Sequence, residues 1–68
     1  IDSKWAYMWA RHIGNADVMI DRVTDSEWAY YWAVDIGNRD VMINRVTDPY
    51  WVSKWNDTFS EKIAESAA

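Results

Sequence analysis

The sequence predicts an all-α fold built from αα-hairpin repeats, an α-solenoid-like array, and three observations carry that prediction. Ser3–Asp25 aligns with Ser26–Asp48 without a gap: six of the 23 aligned positions differ (Lys4/Glu27, Met8/Tyr31, Arg11/Val34, His12/Asp35, Ala16/Arg39 and Asp21/Asn44) and the other 17 are identical. A third copy opens at Pro49, keeps Trp51 and Trp55 in step with Trp28 and Trp32, sets Phe59 in the place of Ile36, and then loses the pattern. Within each copy the apolar residues recur at i, i+4 and i+8 and do not alternate, which excludes a β reading. A period of this length marks a stacked array, in which one unit cannot bury its apolar face without a neighbour.

The local punctuation is helical. Asp25 and Asp48 stand at N-cap positions, and Pro49 follows Asp48 at a first helical position, where a missing N–H costs nothing. Gly14 and Gly37 suit the left-handed conformation that ends a helix, and Asn15 and Asn38 then suit the N-cap of a second, shorter helix running through Val18–Val23 and Val41–Val46, with Arg22 and Arg45 near its negative end. Five helices are expected, at about 3–13, 16–24, 26–36, 39–47 and 49–65. They form one domain: repeat 1 at about 3–25, repeat 2 at about 26–48 and a C-terminal capping segment at about 49–68.

At 100° per residue, Trp28, Ala29, Trp32, Ala33 and Ile36 cover an arc of roughly 140°, which is the expected core face. The rest of that helix is also largely apolar. Tyr30, Tyr31 and Val34 leave only Glu27 and Asp35 charged, the pattern of a helix covered by neighbours on both sides. The shorter helix is amphipathic, with Val41, Met42, Ile43 and Val46 inward and Asp40, Asn44 and Arg45 on a wet outer face. In the third copy Tyr30, Tyr31, Ala33 and Val34 are replaced by Ser53, Lys54, Asn56 and Asp57, so its outward side is a polar cap. Trp51, Trp55, Phe59 and Ile63 continue one stripe and favour a single long helix, with a break near Asn56–Thr58 as the alternative. At the other end Tyr7 and Met8, with Arg11 and His12 beside them, are expected to lack a covering repeat and to form a candidate interface.

The run Trp28-Ala29-Tyr30-Tyr31-Trp32-Ala33, the break Ile36-Gly37-Asn38 and the Asp48-Pro49 helix start together resemble the short α-hairpin repeats found in arrays in viral and bacterial open reading frames. The resemblance covers Asp2 to about Phe59. It departs at the Trp positions, which are often Tyr or smaller residues in such arrays. It implies a scaffold and brings no catalytic residues with it.

Composition narrows the function classes. A chain of 68 residues buries only about 60% of the surface its unfolded form exposes, so dense aromatic packing by six Trp, four Tyr and one Phe has to supply the stability. With no Cys there is no disulfide framework and no thiolate metal site. A net charge of -4 argues against binding a phosphate backbone. No apolar run approaches the roughly 20 residues of a membrane span and no secretory leader opens the chain, so a soluble protein, cytoplasmic if expressed in a cell, is expected. A start at Ile1 suggests a processed or excised piece.

Catalysis is not expected. A Ser/His/Asp set would have to use His12, the only His, which reads more simply as a surface residue of an end helix. Asp17 and Asp21 share a helix face, but in the second copy Asp40 meets Asn44, and Asp17 and Asp40 suit the positive end of a helix. No EF-hand, phosphate loop or zinc spacing occurs, so no metal or cofactor is expected. Asn56-Asp57-Thr58 matches a glycosylation sequon, here read as chance. The near-identity of the two units points to deliberate amplification or very recent duplication. The expected function is that of a designed or minimised repeat scaffold, a structural or protein-interaction module that associates with itself through the N-terminal end or with another protein or peptide. The alternative is a binding module whose Tyr and Trp line a surface for a peptide or a small aromatic or sugar ligand.

Overall fold

The computed structural model describes residues 2–59. It is all-helical. Helix α1 spans Ser3–His12, α2 Ala16–Met19, α3 Ser26–Asp35, α4 Arg39–Met42 and α5 Pro49–Phe59; α2 and α4 each continue into a 3-10 turn, Ile20–Arg22 and Ile43–Arg45.

Each long helix begins at an aspartate. Asp2 and Asp48 accept the N–H groups of Lys4 and Tyr50 on their carboxylates, both at 3.0 Å, whereas Asp25 serves only through its backbone carbonyl, to Ala29 at 2.9 Å. Each long hairpin helix ends where glycine must follow. The amides of Ile13 and Gly14 both donate to the carbonyl of Trp9, those of Ile36 and Gly37 both donate to Trp32, and Gly14 and Gly37 take φ of 128° and 126°. Asn15 and Asn38 then adopt left-handed φ of 60° and 59° and make no side-chain cap, contrary to expectation. They serve as a second turn residue, a role Asn tolerates because its short polar side chain reduces the cost of that region.

The short helices stop sooner than their apolar pattern suggests. They were expected to run to about residues 24 and 47, but the last regular residues are Arg22 and Arg45, and Val23 and Val46 are extended (φ/ψ of -93°/102° and -92°/99°). Both valines are fully buried, and extension is the conformation a β-branched residue prefers. A serine at the first position of α1 and of α3 holds this exit in place. Ser26 Oγ accepts the N–H groups of Thr47 and Asp48 at 2.9 and 3.1 Å, and Ser3 Oγ accepts that of Thr24 at 3.1 Å.

Helix α1 packs on α2 and its 3-10 turn, α3 on α4 and its turn, and α3 lies against both α1 and α5, which do not approach each other. The core is Ala6, Tyr7, Val23, Ala29, Trp32, Ala33, Met42, Val46, Val52 and Trp55. The outward side of α5 is polar as expected, with Ser53, Lys54 and Asp57 exposed. Helix α5 runs unbroken through Asn56–Thr58, which removes the alternative of a break there; its expected continuation to about residue 65 lies outside the described residues. Two further expectations are corrected. Val34 is 47% exposed, because α3 is covered by its neighbours on the Trp28 and Tyr30 flanks and not on the flank that carries Val34. Arg45 is half-buried and not on the wet face, because its guanidinium reaches the preceding repeat.

Candidate functional site

The interaction chemistry concentrates where repeats meet. Tyr7 is buried against repeat 2, its ring 5.4 Å from Trp28 and 6.3 Å from Tyr31, and its hydroxyl donates to the Asp35 carboxylate. The Arg11 guanidinium donates to the same hydroxyl at 3.2 Å and lies 3.9 Å from Asp35. Burial, reinforced by the bond to Asp35, raises the Tyr7 phenol above its ordinary pKa, and Arg11 offsets part of the rise. One repeat on, Tyr30 repeats the arrangement with its ring 5.4 Å from Trp51 and its hydroxyl 2.8 Å from Thr58 Oγ1. Tyr31 fills the seam, 5.1 Å from Trp28 and 5.6 Å from Trp51.

A second tie joins the short helices. Arg45 Nη1 donates to the carbonyl oxygens of Ile20 and Val23, the latter at 3.0 Å, and its other nitrogen lies 3.9 Å from Asp21. An Arg at that position therefore caps the unsatisfied carbonyl end of the preceding 3-10 turn.

These contacts fix the direction of stacking. The apolar residues at the third, seventh and eleventh positions of a repeat counted from Ser3 (Trp5, Trp9 and Ile13) face backwards, and Tyr7 and Met8 face forwards. In repeat 2 the backward-facing Trp32 is fully buried; in repeat 1 its equivalent Trp9 is 42% exposed, with Trp5 at 62% and Ile13 at 68%. The exposed end is thus Trp5, Trp9 and Ile13. This corrects the candidate interface on Tyr7, Met8, Arg11 and His12: Tyr7 is in the core, Met8 is partly buried against it, and Arg11 bridges to repeat 2. Only His12 is exposed on the helix without a partner from the next repeat, and it stands at the position that Asp35 and Thr58 occupy in the later copies. Arg22, the equivalent of Arg45, is exposed, and its guanidinium has no acceptor among the described residues. It lines a shallow depression with Asp17, Val18, Asp21 and Thr24.

The chain matches no known family model, no curated protein and no solved structure. Its surfaces must therefore be read from its own geometry. Among the described residues no group of three or more His, Asp or Glu converges as a metal site, and no helix is long and apolar enough to cross a membrane. Asp21, half of the carboxylate pair visible in the sequence, faces Arg45. Trp32 is satisfied by Asn38, whose Oδ1 accepts its indole N–H at 3.1 Å, while the buried indole N–H of Trp55 finds no acceptor among the described residues. The serine ties and the Arg45 bond escape sequence reasoning, although their signal is present: Ser3/Ser26 and Arg22/Arg45 recur at one period.

Proposed function

We propose that this chain is a helical repeat scaffold, designed or amplified from one hairpin unit, that acts as a protein-interaction module through its N-terminal end and performs no catalysis. The observation that carries the reading is the exposure of Trp9, whose register-equivalents Trp32 and Trp55 are completely buried. A large apolar surface left open beside charged residues favours association, and a second copy of the chain is the simplest partner, two such ends covering each other. The likeness to α-hairpin arrays is consistent with a scaffold. Light scattering across rising concentration tests it: the full chain gains mass and a Trp9→Asp chain does not. A monomer at every concentration defeats self-association.

The aromatic seam supports a second reading. Trp28, Tyr30, Tyr31 and Trp51 form a continuous run and are only half-buried, which suits stacking of a peptide or a small aromatic or sugar ligand. Saturable quenching of Trp emission by a proline-rich peptide or an oligosaccharide supports that reading, and unchanged emission opposes it.

A further inference from the structure

We infer that the N-terminal end is a docking site for an αα-hairpin repeat of this chain's own kind, specifically one with a tyrosine at the position of Tyr7 and Tyr30. The inference rests on the interaction-module reading and names its partner. Its basis is that the chain contains the same interface already built. Tyr7 on Trp28 and Tyr30 on Trp51 have identical ring separations of 5.4 Å, and the two tyrosine hydroxyls reach Asp35 and Thr58 at the same offset. Arg45 grips the carbonyls of Ile20 and Val23 behind it.

The N-terminal end presents all three receiving groups in register: Trp5 for the ring, His12 for the hydroxyl and Arg22 for the carbonyl end of a 3-10 turn. His12 can accept a phenol proton on an imidazole nitrogen, as Asp35 does on a carboxylate oxygen. Trp9 then enters the seam that Trp32 fills in repeat 2. The matching donor surface is a hairpin with Tyr forward. The forward side of α5 does not supply it, since Ser53 and Lys54 replace the two tyrosines, so an identical copy adding head to tail meets Trp5 without a ring to cover it. A repeat with the Ser26–Asp48 sequence does supply it.

The test titrates the full chain with a fluorescently labelled 23-residue peptide of the Ser26–Asp48 sequence and reads anisotropy. Saturable binding is expected. A peptide carrying Tyr30→Ser is expected to bind roughly tenfold more weakly, and an Arg22→Met chain several-fold more weakly, the scale of one aromatic pair or one charged hydrogen bond. Equal binding of the Tyr30→Ser peptide overturns the proposal. Because a free hairpin loses binding energy to its own ordering, a second measurement fuses the same repeat ahead of Asp2 and compares urea midpoints. There Arg22→Met is expected to destabilise as Arg45→Met does in the parent chain, and no effect of Arg22→Met overturns the proposal. Self-association that persists when neither the peptide nor the fused repeat docks overturns this inference and leaves the interaction-module reading intact; loss of self-association with docking of the repeat retained does the reverse for the second-copy partner.

Discussion

The Tyr7 hydroxyl donates to the carboxylate of Asp35, 28 residues away, and Tyr30 meets Thr58 at the same separation. That offset is one 23-residue period plus five positions, so each long helix reaches one fixed place on the next. A hydrogen bond to a charged group contributes about 1.5 to 3 kcal/mol, less where the carboxylate is partly wet, as Asp35 is. Tyr7→Phe should therefore destabilise by about 1 to 2 kcal/mol and Tyr30→Phe, on a neutral and exposed partner, by about 0.5 to 1 kcal/mol. Urea midpoints at unchanged m-value measure both. Asp35→Ala added to Tyr7→Phe should cost little more, because the pair is already broken.

The raised pKa of Tyr7 makes stability pH-dependent at the alkaline end. The folded chain holds the phenol proton more tightly than the unfolded chain, whose tyrosine titrates near about 10. Above that value the unfolded state binds fewer protons than the folded one, so stability falls as pH rises. The contribution is complete below about pH 10 and is lost as pH climbs through the raised value. Thermal unfolding of the parent chain should decline more steeply above about pH 10 than that of Tyr7→Phe. Parallel curves would remove Tyr7 as the cause.

Arg45 and Arg22 occupy equivalent positions with opposite surroundings. Arg45 satisfies two backbone carbonyls of repeat 1, and removing it leaves those acceptors to water, so Arg45→Met should cost about 1 to 3 kcal/mol. Arg22→Met should stay within about 0.5 kcal/mol, as for a surface substitution. Comparable losses in the two variants would show that stem packing, and not carbonyl capping, decides the effect.

Helix starts and stops are legible in the sequence because they depend on residues a few positions apart, Asp2 with Lys4 or Gly14 with Trp9. The direction of stacking is not. Trp5 and Tyr7 lie about 200° apart around α1, and single-helix periodicity says that both flanks are apolar without saying which neighbour covers which. The mismatches between repeats hold that information. His12 becomes Asp35 where a tyrosine hydroxyl arrives, Met8 becomes Tyr31 where Trp51 must be met, and Ala16 becomes Arg39, whose guanidinium lies 4.8 Å from the Phe59 ring. Asp21 faces Arg45, whereas Asn44 lies in the last hairpin and caps its own helix by donating to Asp40. Nothing in the structure explains Lys4 against Glu27. Val23 is hidden for a different reason: an apolar residue at helical spacing reads as helix until its extended backbone is seen.

Trp32 and Trp9 give the strongest test, because they are one residue in two settings. Trp32 is fully buried in α3, its indole N–H held by Asn38, with repeat 1 behind it and α5 ahead. Truncation to Ala loses the transfer energy of the ring and leaves a cavity, so Trp32→Ala should cost about 3 to 5 kcal/mol. For a domain of this size, whose total stability is about 3 to 10 kcal/mol, that is a large share of the total. Trp9 is 42% exposed, and the surface it already shows to water cannot be lost again, so Trp9→Ala should cost only about half as much in the isolated chain. The difference between the two measures what a covering repeat adds. If both substitutions cost the same at low protein concentration, Trp9 is as fully packed as Trp32, and the open N-terminal end is not there.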